Sequence, residues 1–280
     1  PVTYSSLEAE YNIRARHPEH QSVRDGWAAS SAQAKAKFAW REDVRYGPAA
    51  RQVLDLFPAR AASAPLLVFV HGGYWRANDK ANYGFIAEPV LEAGGALANI
   101  NYGLAPDTPL GEIIEQTRAA ILWLSNNAAL GKFDNRRIHI AGHSAGGHLA
   151  AELLATDWPA YGAPADIVHG ITAISGVFDL TPLIGTSINV ELGLDQTSAQ
   201  KFSPLFHPPP AGAPMIVAVG DGETEEFLHQ SRSFADMCQT AGCASELNIV
   251  PGANHYTILN QLDDANTPLT RAVLRQMGLL

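Results

Sequence analysis

The chain has 280 residues, 46% hydrophobic and 17% charged, which is enough to bury a sizeable core and far from the disordered regime. Its formal net charge of -9 argues against nucleic acid and anionic membrane as main partners, since both require a basic surface. The polar stretch Pro1–His20, with Glu8, Glu10, Arg14 and Arg16, does not read as a signal peptide. No apolar run approaches the roughly 18 residues that cross a bilayer. Two cysteines, Cys238 and Cys243, imply neither a disulfide framework nor a zinc site. The expected setting is therefore cytoplasmic. The expected partners are a small-molecule substrate and, at most, a second copy in a homodimer.

In chain order, residues 1–43 precede any strand pattern and carry Tyr4, Tyr11, Trp27, Phe38 and Trp40. Apolar, β-branched runs then mark strands at Val53–Phe57, Leu66–His71, Ala96–Tyr102, Arg137–Gly142, Gly170–Ser175, Met215–Gly220 and Glu246–Val250. Several are continuously apolar, as strands covered on both faces are. Between them Lys80–Ala93, Leu110–Ala129, Ala145–Ala155, Glu225–Ala241 and Pro268–Met277 have helical length. Strand–helix alternation predicts one α/β domain over 1–280 with a mostly parallel, doubly wound sheet. Two segments break the rhythm: residues 1–43, and residues 176–213, rich in Gly, Pro and Thr. Insertions of this kind build caps and pocket walls, and their aromatics also pack them to the body.

The chemistry concentrates in Gly142-His143-Ser144-Ala145-Gly146, a GxSxG elbow between an apolar strand and a helical stretch, which is the context that motif requires. Small flanking residues let the backbone turn sharply around Ser144, and the helix start directs free N–H groups at the place where negative charge develops. A serine hydroxyl needs a neighbouring base. Of the ten histidines, only His255, in Pro251-Gly252-Ala253-Asn254-His255-Tyr256, follows the last strand in a loop marked by Pro and Gly. An acid after the penultimate strand should hold that imidazole. There Asp221-Gly222-Glu223 offers Asp221 at the strand end and Glu223 two residues on, and placement does not separate them.

An oxyanion hole should draw its other donors from the turn after an earlier strand. His71-Gly72-Gly73-Tyr74-Trp75 supplies paired glycines there, so Gly72, Gly73, Tyr74 and Ala145 are the expected oxyanion residues. Tyr74, Trp75, Tyr102, Phe178 and Tyr256 are candidate pocket aromatics. His143 and His148 read as shaping and packing residues. The remaining histidines lack metal-ligand grouping, and no phosphate-binding glycine loop occurs, so neither metal nor cofactor is expected.

These motifs resemble the kynurenine formamidase (arylformamidase) branch of the α/β-hydrolases, and more distantly the hormone-sensitive-lipase-like esterases, which usually show HGGG and GDSAGG. The likeness extends to Asn101-Tyr102-Gly103-Leu104-Ala105-Pro106, Ser175-Gly176-Val177-Phe178-Asp179-Leu180, Thr186-Ser187-Ile188-Asn189 and Ser203-Pro204-Leu205. It implies an α/β-hydrolase fold and cleavage of a small amide or ester through an acyl-enzyme. An aryl formamide such as N-formylkynurenine comes first, with a short-acyl carboxylesterase or catabolic amidase as the alternative and a non-catalytic binding protein as a remote one. The resemblance also favours Glu223, three residues beyond Gly220 and eight before Ser231, where the family usually carries Asp.

Overall fold

The computed structural model describes residues 4–280; residues 1–3 and the Tyr4 side chain, both within the expected cap, lie outside the described residues. Eight strands form one sheet in the order β1-β2-β4-β3-β5-β6-β7-β8. They are β1 Arg41–Arg45, β2 Val53–Phe57, β3 Ala64–Val70, β4 Ala96–Ile100, β5 Phe133–His143, β6 Val168–Ile174, β7 Pro214–Gly220 and β8 Ala244–Val250. The pairs β1/β2 and β2/β4 are antiparallel, and all others are parallel. With helices on both faces, this is the α/β-hydrolase fold.

Period-two alternation divides each central strand between two cores. Leu66, Val68 and Val70 of β3 join one cluster with Ile138 and Ile140 of β5 and Met215 and Val217 of β7. Leu67 and Phe69 enter the other, with Ala141, Ile174 and Ala218. Because both faces are covered, these strands read as unbroken apolar runs.

Three elements depart from the sequence expectation. β1 carries Arg-Glu-Asp-Val-Arg and is almost wholly exposed, the charged edge strand that discourages edge pairing. Within residues 1–43 the helix His20–Lys37 buries only Trp27, Ser31 and Ala34, a stripe too narrow to announce itself by periodicity. The expected helix Lys80–Ala93 divides into a 3-10 segment, Lys80–Ile86, and a short α-helix, Ala87–Glu92.

Both irregular segments lie over the carboxyl ends of the strands. Glu8 accepts hydrogen bonds from the Ser187 amide and hydroxyl, each at 2.7 Å, and so joins the N-terminal segment to the 176–213 segment. Tyr11 donates to Glu226 Oε2 (2.9 Å), and its backbone carbonyl accepts from the Tyr74 hydroxyl (2.7 Å). Trp27 packs on Tyr83 and Phe85 and donates its indole N–H to Asn260. Among the described residues no helix is long and apolar enough to cross a membrane.

The segment bearing Tyr83 is fixed by a buried charge. Lys80 Nζ donates to Asp55 Oδ1 on β2 at 2.6 Å, with Asp43 at 2.8 Å and Lys35 also near Asp55. Removing one partner of a buried pair strands the other, at a cost of about 3–5 kcal/mol. Lys80→Met should therefore lower unfolding free energy by about 3 kcal/mol in urea titrations, whereas a loss under about 1 kcal/mol would mean that the pair contributes little.

Candidate active site

The elbow follows from how closely backbones meet at the ends of β3 and β5. A Cβ on Gly142 would stand 1.9 Å from the Gly146 carbonyl oxygen, and one on Gly146 would stand 1.9 Å from that of Val70. Only glycine fits either place. Between them Ser144 is forced to φ 58°, ψ -119°, a region that costs a non-glycine residue roughly 1–3 kcal/mol. Its amide donates to Ile174 O at 2.8 Å, and its carbonyl accepts from Gly147 N and His148 N at 2.9 and 3.1 Å. Ser144 is thereby held at the floor of a pocket.

The turn after β3 is pressed against the elbow, since a Cβ on Gly72 would lie 2.7 Å from His143 O and 2.9 Å from Ser144 Cβ. Gly73, Tyr74 and Trp75 all have positive φ (112°, 49° and 57°), and this curls the chain round the pocket. In a trans peptide the N–H points opposite to the carbonyl of the preceding residue, so the pinned carbonyls orient the amides. Gly72 O accepts from His71 Nδ1 (2.8 Å) and Asn78 Nδ2 (3.0 Å), which turns the Gly73 N–H the other way. Gly73 O accepts from Arg76 N (3.1 Å) and does the same for Tyr74. The doubly engaged Ser144 carbonyl likewise turns the Ala145 N–H outward. Among the described residues these three amides make no hydrogen bond.

Buried rings support this turn from beneath. Trp75 donates its indole N–H to His148 Nδ1 (3.2 Å), and His148 Nε2 donates to Phe202 O (2.7 Å). Tyr102 stacks on His71 at 4.4 Å between centroids and donates to the His71 carbonyl. Burial lowers both His71 and His148 to about 4, so both are neutral at pH 7.

At the ends of β7 and β8 the structure separates the two carboxylates. Glu223 Oε2 accepts from His255 Nδ1 at 2.7 Å, and both side chains are buried. The other oxygen, Oε1, accepts from the Ser175 hydroxyl and from Gly220 N at 2.9 Å. A carboxylate only accepts, so His255 Nδ1 carries the proton and Nε2 is left with a free lone pair. Asp221 is exposed, and its Oδ1 accepts from Gly252 N (2.7 Å), which ties two loops without reaching the imidazole. His143 donates Nε2–H to the His255 carbonyl at 2.7 Å, and burial followed by the neighbouring His255 holds it well below the ordinary histidine range. The Phe227 ring lies 4.5 Å from that of His255.

Ser144, His143, His255, Gly73, Tyr74 and Tyr256 face one pocket, closed by Tyr11, Ile13, Trp27, Tyr83 and Ile188. Arg14, Arg24, Arg76, Asn12 and Asn78 complete its wall. Of the expected pocket aromatics, Tyr74 and Tyr256 line it. Trp75, Tyr102 and Phe178 are completely buried: Trp75 under the turn, Tyr102 against His71, and Phe178 stacked at 4.0 Å on Phe234. The sequence reading missed Ser175, whose φ of 49° no pattern announces. It also missed the arginines, which lie far from the elbow along the chain. Cys238 and Cys243 are free buried thiols.

Comparison with known proteins agrees with this geometry. Residues 114–268 match the prolyl oligopeptidase family, and residues 54–159 match the BD-FAE family. A solved structure described as a thioesterase from Silicibacter sp. TM1040 superposes with TM-score 0.83 and 31% identity, covering 95% of this chain and 97% of that one. A Pyrobaculum calidifontis esterase, TM-score 0.75 and 17% identity over 96% of this chain and 98% of its own, has the same fold. Fold and relatives together define a serine hydrolase of the α/β-hydrolase class. The kynurenine formamidase of Danio rerio is 30% identical over 244 residues, 84% of this chain and 81% of the relative. The chain belongs to the kynurenine formamidase family.

The buried histidines give the fold an acid limit. Their folded values lie below the unfolded value of about 6.5, so the unfolded chain takes up protons first as pH falls. Stability is thus complete above about pH 6.5 and declines toward the folded values, by up to about 1.4 kcal/mol per histidine per pH unit. His71, His139 and His148, each near 4, and His143, held well below the ordinary histidine range by burial, act together. Urea unfolding at successive pH values should show a steep loss below about 6.5 that His148→Gln makes shallower by about one proton. A flat profile across that window contradicts the assignment.

Proposed function

We propose that this protein hydrolyses a small amide or ester through an acyl-enzyme on Ser144, with an aryl formamide such as N-formylkynurenine as its preferred substrate. The observation that carries the mechanism is the Glu223–His255 hydrogen bond opening on the same pocket as Ser144 and the unengaged amides of Gly73, Tyr74 and Ala145. His255 Nε2 takes the Ser144 proton as Oγ attacks the substrate carbonyl carbon. The carbonyl oxygen becomes an oxyanion among the three amides, whose fixed orientation makes them effective donors. His255 then protonates the departing nitrogen or oxygen, the C–N or C–O bond breaks, and the acyl group stays on Ser144. Water, deprotonated by His255, attacks the acyl carbon, and Ser144 leaves with the proton as the carboxylic acid departs. Glu223 orients the imidazole and offsets its positive charge during both steps.

Support for an aryl formamide comes from the pocket walls together with the relatives. Tyr11, Trp27, Tyr83 and Tyr256 offer flat apolar faces to a planar leaving group. The kynurenine formamidase relatives favour a one-carbon acyl group.

Ser144→Ala should abolish both turnover and labelling by a fluorophosphonate probe. Glu223→Gln should reduce kcat by about 10³- to 10⁴-fold, while Asp221→Asn should stay within about threefold of wild type. Comparable losses in the two acid variants would reject Glu223 as the acid. In a panel of N-formylkynurenine, p-nitrophenyl acetate, p-nitrophenyl butyrate and an acyl thioester, the formamide should show the highest kcat/KM. A formamide value lower than the esters' by orders of magnitude would assign the enzyme to short-acyl esters.

A further inference from the structure

The pocket wall carries a charge opposite to that of the whole molecule. The net charge is -9, yet the ionised side chains on the wall are Arg14, Arg24 and Arg76. Arg76 is neutralised by Glu191, which bonds to its Nη1. Arg24 has no such partner: among the described residues no carboxylate lies within 4.0 Å of it, and its guanidinium makes no hydrogen bond. The nearby acids are engaged elsewhere, since Glu19 Oε1 accepts from His17 Nδ1 and Asp25 Oδ1 from Gln21 Nε2.

This arginine is not a solvated surface cation. Arg24 is half-buried on the helix His20–Lys37, one turn before the buried Trp27, so both reach the pocket from the same helix face. Its charge lies close enough to the Tyr83 and Tyr256 phenols to oppose the upward push that burial gives each of them. Arg14, from the neighbouring short helix Ile13–Arg16, also acts on the Tyr256 phenol. Two guanidiniums therefore act on one phenol, where the Glu19 carboxylate opposes them more weakly. A half-buried, unpaired guanidinium is costly in a folded protein, and a substrate anion would supply its missing acceptor.

We infer that Arg24, assisted by Arg14, is a specificity-determining residue that anchors an anionic group, most simply a carboxylate, on the leaving-group side of the substrate. The inference rests on the hydrolase reading above. Arg24 is five-donor and planar, the geometry that takes a carboxylate through two parallel hydrogen bonds. It belongs to the N-terminal segment, whereas Ser144 and His255 belong to the strand ends. Substrate choice and bond cleavage are thus assigned to different parts of the chain, and the acyl carbon reaches Ser144 only when the anion has found the cap.

The test compares N-formylkynurenine with its carboxamide, two substrates that differ in one charge. Wild type should favour the carboxylate by about tenfold to a hundredfold in kcat/KM, chiefly through KM. Arg24→Gln should bring that ratio close to one, and Arg24→Lys should retain part of it, since a point charge lacks the planar fork. A variant-free arm measures inhibition of p-nitrophenyl acetate hydrolysis by benzoate and by benzamide. Benzoate should bind tighter to wild type, and less so as salt is raised. Fluorophosphonate labelling of Ser144 in each variant reports that the site is folded. Wild type without charge preference, or a ratio unchanged in Arg24→Gln, overturns the anchor. Wild type inert toward every acyl substrate and toward the probe defeats the hydrolase reading instead.

Discussion

Backbones at the carboxyl ends of β3, β5 and β7 approach one another at distances that no Cβ tolerates, and the other features of the site depend on that approach. Gly142 and Gly146 let the elbow fold back on itself and on Val70, and Gly72 lets the turn after β3 touch Ser144. Gly220 does the same at β7, where a Cβ would stand 2.1 Å from the Ala253 carbonyl oxygen. That contact brings the acid loop against the histidine loop, and the Glu223–His255 bond follows from it. A site assembled from four separate strand ends needs each one closer to its neighbour than side chains permit, which is why small residues cluster there.

Much of this was legible in the sequence, for identifiable reasons. Central strands announced themselves because burial on both faces demands continuous apolar runs. The elbow, the paired glycines and the late histidine were legible because steric demand leaves few residue types at those points. The acid was legible only through the family spacing that favours Glu223, since Asp221 and Glu223 share a loop and placement alone does not separate them. The Glu223 amide turns back to Gly220 O (3.2 Å) and swings its side chain inward, while Asp221 faces Gly252. Trp75, Tyr102 and Phe178 looked like pocket walls because they neighbour the motifs, but a large ring beside a buried turn is more often packing than lining. β1 was missed because an edge strand that must repel partners is written in charged residues.

The N-terminal segment shows how a polar stretch acquires a defined place. Tyr11, Ile13 and Trp27 bury apolar surface against the body, and polar contacts specify the position: Glu8 to Ser187, Tyr11 to Glu226 and Gln230, Trp27 to Asn260. Such contacts contribute modestly to stability, about 1 kcal/mol each, but they fix direction in a way that apolar burial does not. Position is what a pocket wall needs.

The run of pinned carbonyls behind Gly73, Tyr74 and Ala145 has an energetic consequence. Their partners, His71, Asn78, Arg76 and the first turn of the elbow helix, all come from the chain itself. Donors aimed in advance do not reorient as charge accumulates on a reacting oxygen, whereas water dipoles must. The work of aligning the dipoles is completed when the polypeptide folds, and it is not repeated at each turnover. Heat or acid that loosens this backing would on this account lower the rate per molecule before the secondary structure melts.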